Sequence, residues 1–591
     1  MEYELEVSQH VGQTIMDEPP DPQHQKRLHK RTLLKLDCLL LPFLALLFLF
    51  NSLDKSNIGN AESAHFTSDI GLEKEDLNTA VALFFTFFVA LQPAGAALGR
   101  RYGMVLWVPS CMLLWGISTA LHVWVRARWQ LYTLRIVIGC LEAGFYPVTV
   151  SYLSLFYTRF EFARRLSLFY GQAAVGGALG GIISYIVFSR FPEHGKDKDL
   201  DKHFQSWQAL FLLEGGLTII TALIAYVWLP HGPKTAWFLT SEERKYAERR
   251  IIQDRLADTV LATHNNPPSQ STATSSTTGI NDPSSTPDDE ESRGLLNSAQ
   301  SFTPPSSTTA VTDDRGLTPH DIISAITSPK IYHILICNVL SAIPVYAFSV
   351  FLPLVLAPLT KSPNPALVNL LTAPPYICGA ITLYLFASYS DKHRLRIKPV
   401  LAGLVLLLVG LILVVLLPTS KGWAIPRYLA LNILLSGTFI ASPLTVAWIS
   451  GNTPSPGKRA LLLGINGWGN LAGIFSALLF KPKYAKDGYI TPFWWTLGCV
   501  GVAAAGYVSF WRNLVTENEW RQSLLKSWDP EDVEREKVDG QGPLRRQPGL
   551  VDWVLRGLKK VGRGGRVVEW LERYVEEGRE GDEKITFQYG L

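Results

Sequence analysis

Two stretches of the chain repeat one pattern. Residues 147–166 read PVTVSYLSLFYTRFEFARRL, and residues 443–461 read PLTVAWISGNTPSPGKRAL. Each stretch begins with Pro-x-Thr-Val and continues to a basic pair, and Gln172 and Asn466 follow seven residues beyond the second base of each pair. Weak internal similarity of this kind favours a chain built from two halves with the same arrangement of elements.

Both repeats lie in strongly apolar sequence. Of the 591 residues, 47% are hydrophobic and only 18% are charged, which excludes an ordinary soluble enzyme of this size. About 20 apolar residues are needed to cross the roughly 30 Å hydrocarbon core of a membrane. The sequence predicts twelve such spans, at 33–60, 78–98, 104–124, 131–156, 167–189, 208–229, 331–357, 367–389, 398–417, 427–450, 460–480 and 491–511.

The spans fall into two groups of six. The predicted fold class is an all-α membrane protein with twelve transmembrane helices in two six-helix halves, 33–230 and 331–512. A tail precedes them at 1–32, a loop joins them at 231–330, and a second tail covers 513–591. Within the loop, a charged helix begins at SEERKYAERR, and the Ser-, Thr- and Pro-rich residues 264–318 predict disorder. In the second tail, 551–577 predict amphipathic helices, lying on the membrane surface or docked on the bundle.

The distribution of basic residues predicts the orientation. Lysines and arginines concentrate in the tail before span 1 and in the turns after spans 2, 4, 8 and 10. Because cytoplasmic loops carry an excess of these residues, we expect both termini in the cytoplasm. Several basic residues oppose this bias by falling on the other side: Arg126, Arg128, Lys196, Lys198, Lys202, Lys481, Lys483 and Lys486.

Charged residues inside the spans carry the functional information, since charge within a membrane is costly unless it is paired or faces water. Span 1 contains Asp54 and Lys55, and span 4 contains Arg135 and Glu142. Two acids and two bases on two helices favour groups that exchange partners during a cycle, with static ion pairs as the structural alternative. Glu214, in the LLEGG segment of span 6, is assigned mainly to packing with its glycines, with a place in the transport path as the alternative.

Span 4 carries its polar residues on one face. Arg135, Gly139, Glu142 and Tyr146 follow the i, i+4, i+7, i+11 spacing of a helix. In the second half, Asn338, Tyr346 and Tyr376 are candidates for a cavity between the halves.

The sequence contains no nucleotide-binding loop, catalytic triad or metal-ligand spacing, and its six cysteines lie in apolar runs. We therefore expect no enzymatic activity, no cofactor, no metal and no nucleic-acid partner. Without direct ATP drive, an ion gradient remains as the energy source.

Four segments resemble a known family: LDKSNIGNA (53–61), RIVIGCLEAGFYPVTVSYLSLFYTRFEFARR (135–165), WQALFLLEGG (207–216) and WLPHGPKTAWFLTSEERKYAERR (228–250). They are similar to the allantoate permease branch of the anion:cation symporter family, within the major facilitator superfamily. The resemblance covers roughly 35–255 and 330–512. It implies proton-coupled uptake of small organic anions such as allantoate, nicotinate, pantothenate or biotin by alternating access. It also favours a monomer in the plasma membrane, with the vacuolar membrane as the alternative.

The resemblance assigns roles to individual residues. Asp54 and Glu142 would be the proton sites, and Arg135 would couple protonation to the conformational change. Lys55 would contact the substrate carboxylate at a position where the family usually has arginine, so a point charge replaces a planar two-pronged donor. The other predicted substrate contacts are Tyr146, Gln172, Tyr346 and Asn466.

The turn after span 2 departs from the superfamily pattern. It reads GAALGRRYG, with Gly99 where an aspartate is usual, whereas the turn after span 8 reads ASYSDKHRLR and keeps Asp391. A charge latch formed by Arg100, Arg101, Asp391 and Arg394 would therefore be asymmetric. Three other functions stay open: an uncoupled facilitator, a carrier of a neutral or cationic vitamin, and a nutrient sensor.

Overall fold

The computed structural model describes residues 22–191, 205–251, 319–360, 364–393, 395–544, 579 and 581–590. Within these residues the regular structure is helical throughout. Twelve helices are long and apolar enough to cross a membrane, which confirms the predicted number. They are Gln23–Ser63, Lys74–Gly99, Met104–Trp124, Arg128–Leu153, Gly171–Arg190, Ser206–Trp228, Pro329–Leu359, Pro365–His393, Ile397–Leu416, Ala424–Gly451, Gly457–Leu479 and Ile490–Ser527. We number them spans 1 to 12.

Several spans consist of more than one helical segment. In the first half the segments are Pro22–Lys35, the π-helical turn Leu36–Leu40, Leu41–Ser63, Phe66–Asp69, Lys74–Tyr102, Met104–Ala120, Leu121–Trp124, Arg128–Glu142, Phe145–Leu153, Arg159–Arg190 and Ser206–Trp228. In the second half they are Pro319–Thr327, Pro329–Leu356, Ala357–Leu359, Pro365–Leu370, Ala373–His393, Ile397–Leu416, Ala424–Thr438, Ala441–Gly451, Pro456–Asn466, Gly467–Leu471, Ala472–Leu479 and Ile490–Ser527. Pro530–Asp539 follows span 12, and short 3₁₀ turns lie at Pro233–Thr235, Lys421–Trp423, Pro482–Tyr484 and Gly581–Glu583.

The repeated prolines explain where spans 4 and 10 break. Span 4 breaks between Glu142 and Phe145, just before Pro147, and span 10 breaks between Thr438 and Ala441, just before Pro443. Proline lacks an N–H group and its ring clashes with the carbonyl four residues earlier, so the helix is interrupted at that place. The sequence repeat therefore corresponds to the same broken helix in both halves.

The backbones of the two halves approach each other closely at one end of the bundle. We call the end at which span 1 begins the terminal face, and the other end the opposite face. Near the opposite face, the backbone of Gly59 in span 1 touches span 7, where a Cβ atom on Gly59 would lie 1.7 Å from the carbonyl oxygen of Val350. The side chain of Asn78 in span 2 donates hydrogen bonds to the carbonyls of Ala477 and Phe480, at 2.7 and 2.9 Å. These contacts close the opposite face.

Two segments outside the spans dock at the terminal face. The first is the helix at 241–251, predicted from its charge pattern. It is held by Lys35, which lies 2.6 Å from Glu243, and by Arg250, which lies 3.0 Å from Glu161. Burial opposes ionisation of Glu243, but the hydrogen bond from Lys35 and those from Thr240 outweigh it and lower the pKa of this carboxyl. The loop residues 264–318 and the tail residues 551–577 lie outside the described part of the chain.

The second docked segment is 581–590, which covers the terminal face of the second half. Lys458 of span 11 is buried and pairs with Asp582 at 2.6 Å. The indole of Trp448 donates a hydrogen bond of 2.8 Å to the carbonyl of Gly590, and Arg521 of span 12 donates to the carbonyl of Phe587 at 2.7 Å. Spans 10, 11 and 12 are thereby joined through one short segment.

Candidate functional site

The acid and base that are adjacent in span 1 do not pair with each other. Neighbouring residues on a helix point about 100° apart, so Asp54 and Lys55 face different helices. Lys55 turns toward span 4, where its ammonium lies 3.4 Å from Glu142. Asp54 turns toward span 3, where it accepts a hydrogen bond of 2.7 Å from the hydroxyl of Thr119.

Lys55, Asn51 and Glu142 form what we call the central group. Lys55 donates to the side-chain oxygen of Asn51 at 2.6 Å, and the amide of Asn51 donates to Glu142 at 2.7 Å. Glu142 is only 1% exposed, whereas the side chain of Lys55 is 17% exposed and lies over the ring of Phe88. The base is therefore the member of this group that a solute can reach.

Asp54, Thr119, Arg135 and Glu214 form a second cluster, the interior group. Arg135 is 2% exposed and interacts electrostatically with three carboxylates, those of Asp54, Glu142 and Glu214. Its Nε and Nη2 atoms are buried without a hydrogen-bond partner, as are Oδ2 of Asp54 and both carboxylate oxygens of Glu214. Buried charges without hydrogen bonds are costly, so these groups stabilise the fold less than fully bonded ion pairs would.

Amide and phenol side chains of spans 7 and 11 form the polar set of the second half. The amide of Asn338 donates to Asn466 at 3.3 Å, and the hydroxyl of Tyr346 donates to Asn470. The ring of Tyr346 also packs edge-on against Phe85 of span 2, at 5.2 Å between centroids. This set is therefore in contact with the first half.

The other predicted substrate contacts have different surroundings. Tyr146 lies beyond the break in span 4, so Arg135, Gly139 and Glu142 share one helical segment and Tyr146 belongs to the next. Its ring lies 6.5 Å from that of Phe48. Gln172 is half-buried and is the second residue of span 5.

Within the predicted latch, Asp391 pairs with Arg396, which follows it in the same turn. Arg101 is exposed, with its guanidinium 5.8 Å from the ring of Tyr102. The side chain of Arg100 and all of Arg394 lie outside the described structure. The close approach of span 4 explains why glycine replaces the usual aspartate at position 99. A Cβ atom on Gly99 would lie 2.1 Å from the side chain of Val148, which leaves no room for an aspartate.

Sequence reasoning missed Asn51, Thr119, Gln92 and Asn470. Gln92 of span 2 lies against Gly467 of span 11, and its side-chain oxygen is buried without a hydrogen-bond partner. The available signal was a polar side chain within an apolar span, which is costly in lipid whether or not it is charged. Among the described residues, no three His, Cys, Asp or Glu side chains are grouped as metal ligands would be, and all six cysteines are free.

The comparison with known families decides the identity of this twelve-helix chain. The sequence profile of the Major Facilitator Superfamily matches residues 44–303 and 334–561. The chain belongs to the Major Facilitator Superfamily. A high-affinity nicotinic acid transporter of Saccharomyces cerevisiae is 25% identical over 82% of this chain and 78% of its own length. An uncharacterised transporter of Schizosaccharomyces pombe is 29% identical over 88% and 89% of the two chains.

Solved structures of the superfamily share the fold. The xylose transporter XylE from E. coli, in a partially occluded inward open conformation, has a TM-score of 0.53 at 14% identity. The alignment covers 80% of this chain and 96% of that one. The chain is thus an integral membrane transporter of the Major Facilitator Superfamily and not an enzyme.

Proposed function

We propose that this transporter imports a small organic anion together with protons. The observation that carries the proposal is the contact between the partly exposed Lys55 and the buried Glu142, at 3.4 Å. The ammonium of Lys55 is accessible to a solute on one side and contacts the buried carboxylate of Glu142 on the other. Lys55 can therefore leave Glu142 and pair with the carboxylate of a substrate.

The coupling follows from competition for Lys55. When a substrate carboxylate binds the ammonium, Glu142 loses the counter-charge of Lys55 while it stays buried, and Arg135 is shared with Asp54 and Glu214. An isolated buried carboxylate is far less stable than the neutral acid, so Glu142 binds a proton as the substrate binds. Release of the substrate on the other side returns Lys55 to Glu142 and expels the proton. Binding of anion and proton is thereby linked without direct contact between them.

The interior group supplies the second half of the cycle. Oδ2 of Asp54 is buried without a hydrogen-bond partner, and Arg135 interacts electrostatically with both Asp54 and Glu142. Neutralising one acid leaves Arg135 with the other, which changes the contacts between spans 1 and 4. In the second half, Asn466, Asn338 and Tyr346 offer uncharged hydrogen-bonding groups that orient the rest of the substrate.

The proposal extends to substrate class and setting. A transporter named for nicotinic acid aligns with 82% of this chain, and nicotinate is a small carboxylate of the size that one base can hold. We place the protein in the allantoate permease branch of the anion:cation symporter family. We further propose that it acts as a monomer in the plasma membrane with both termini in the cytoplasm, as the basic turns suggest.

The test is uptake by cells that express the protein, with labelled nicotinate, allantoate, pantothenate and biotin at two external pH values. We expect one carboxylate to be accumulated, faster at the lower pH, with alkalinisation of unbuffered medium. Lys55→Met should lose this uptake and Lys55→Arg should keep it. Uptake that ignores both pH and a protonophore would indicate an uncoupled facilitator, and full uptake by Lys55→Met would indicate a neutral or cationic substrate.

A further inference from the structure

Glu214 is a buried carboxylate that sequence reasoning assigned to packing. It lies in span 6 at 3% exposure, and neither of its oxygens has a hydrogen-bond partner. It interacts electrostatically with Asp54 of span 1 and Arg135 of span 4. A carboxylate in this setting contributes little to packing that an apolar side chain would not contribute better.

Glu62 shows what a structural carboxylate looks like in the same half. It is also buried, at 6% exposure, but both of its oxygens are bonded. One accepts the backbone N–H of Thr67 at 3.1 Å and the other accepts the hydroxyl of Thr67 at 2.8 Å. Glu62 therefore fixes the turn after span 1. Glu214 has no such hydrogen bonds, although it is at least as deeply buried as Glu62.

The charges of the two groups do not balance. Asp54, Glu142 and Glu214 are three acids, whereas Lys55 and Arg135 are two bases, so the fully ionised set carries one excess negative charge. One bound proton makes it neutral. Since a buried net charge is costly, we expect the set to hold one proton in the state described here.

The helices packed against span 6 limit where that proton resides. From span 3, His122 is fully buried and its Nδ1 donates to the carbonyl of Ser118 at 2.9 Å, which leaves Nε2 bare and without a partner. His122 also interacts electrostatically with Arg135. Span 5 also packs against span 6, and its buried polar side chain among the described residues is the hydroxyl of Ser184, which does not titrate.

We propose that Glu214 is a coupling residue of transport: a third proton-exchanging carboxylate that competes with Asp54 for the guanidinium of Arg135. When Asp54 is protonated, Arg135 associates with ionised Glu214. When Asp54 releases its proton, Arg135 returns to Asp54 and Glu214 takes a proton in its place. The exchange moves Arg135 between spans 1 and 6, and so connects proton binding to the packing of the first half. This inference rests on the proposed proton coupling.

The test compares two modes of transport in vesicles that contain the purified full-length protein. Net accumulation driven by an imposed pH gradient requires proton movement, whereas exchange of labelled for unlabelled substrate does not. The probe is the carboxylate found in the uptake panel. We expect Glu214→Gln to exchange substrate at a rate within about threefold of wild type. Its accumulation ratio should fall at least about tenfold, which corresponds to the loss of about one pH unit of driving force. Glu214→Asp, which keeps an ionisable group, should restore accumulation.

Each outcome decides one question. If wild-type protein exchanges substrate but does not accumulate it under the gradient, the proposed function fails. If wild type accumulates and Glu214→Gln does so equally, with an unchanged pH profile, the role of Glu214 is overturned while the proposed function stands. The role of Glu214 is also overturned if Glu214→Gln loses both exchange and accumulation. It is overturned as well if the Asp and Gln variants behave equally, because both results indicate a structural role. Glu62→Gln is the matched control and should leave the ratio of accumulation to exchange unchanged.

Discussion

Spans 4 and 10 are the same broken helix with different chemistry. Counting back five residues from the repeated proline gives Glu142 in span 4 and Thr438 in span 10. Counting back twelve gives Arg135 and Leu431. Thr438 is buried and donates only to the carbonyl of Leu434, one turn away in its own helix, at 2.8 Å. Span 4 therefore carries one base and one acid, whereas span 10 carries no charged residue at the two matching positions.

Among the described residues, the buried ion pairs of the second half lie at the terminal face instead, and the buried Arg427 of span 10 donates to the backbone carbonyl of Gly488. Lys458 and Asp582 pair there, and Arg579 pairs with Glu536 at 2.8 Å. These groups have well-formed partners, whereas Arg135 and Glu214 in the first half do not. The difference separates two kinds of buried charge: satisfied pairs hold segments together, and under the proposed function the unsatisfied groups exchange partners.

The largest expected effect comes from removing the charge of span 4. Under an imposed gradient of about two pH units, one proton per substrate supports accumulation of about 100-fold, because each unit is worth about 1.4 kcal/mol. Glu142→Gln should reduce accumulation to passive equilibration while surface expression is kept. The measurement is labelled substrate inside and outside vesicles at steady state.

The matched control for this variant is Thr438→Val, the equivalent position of span 10. Its hydroxyl bonds only within its own helix, so we expect accumulation close to that of wild type. A loss of coupling in Thr438→Val as large as in Glu142→Gln would show that the break itself, and not the charge, carries coupling.

The sequence predicts more of the scaffold than of the site. The number of spans follows from hydropathy, and the breaks in spans 4 and 10 follow from Pro147 and Pro443. The divergence of Asp54 and Lys55 also follows from the helical rotation between neighbours. The electrostatic interaction of Glu214 with Arg135 does not, because it depends on how span 6 packs against spans 1 and 3. Spacing along the chain contains no information about that packing.

A smaller effect is expected at the terminal face. Lys458→Met leaves Asp582 buried without its partner and should lower the free energy of unfolding by about 2 kcal/mol, the typical value for a hydrogen bond to a charged group. Chemical denaturation of the purified protein measures this change. We expect the ratio of accumulation to exchange to stay at its wild-type value, and a changed ratio would contradict the purely structural role of this pair.

An exposed pair provides the comparison for Lys458. Arg535 and Glu531 lie 3.6 Å apart on the surface, with side chains 63% and 87% exposed. Such pairs contribute little to stability, so Arg535→Ala should change the free energy of unfolding by no more than about 0.5 kcal/mol. Equal effects of the two variants would mean that the docked segment at 581–590 is not held by Lys458.

The polar set of the second half should affect affinity and leave coupling intact. Asn466→Ala removes the acceptor for Asn338 and a proposed substrate contact, at a cost of about 1 kcal/mol. We expect KM to rise about fivefold with an unchanged accumulation ratio, as measured by initial rates over a range of substrate concentrations. A fallen accumulation ratio would assign coupling to both halves and remove the contrast drawn above.

The backbone contact at Gly59 makes the conformational equilibrium of the molecule adjustable by one methyl group. An added Cβ atom would collide with the carbonyl of Val350 whenever the opposite face is closed, and the collision disappears when spans 1 and 7 separate there. Gly59→Ala should therefore populate the form that is open at this face, without altering any polar residue. Such a variant would be a means of trapping the form that is open at this face for structure determination, and of raising antibodies that recognise one state of the carrier.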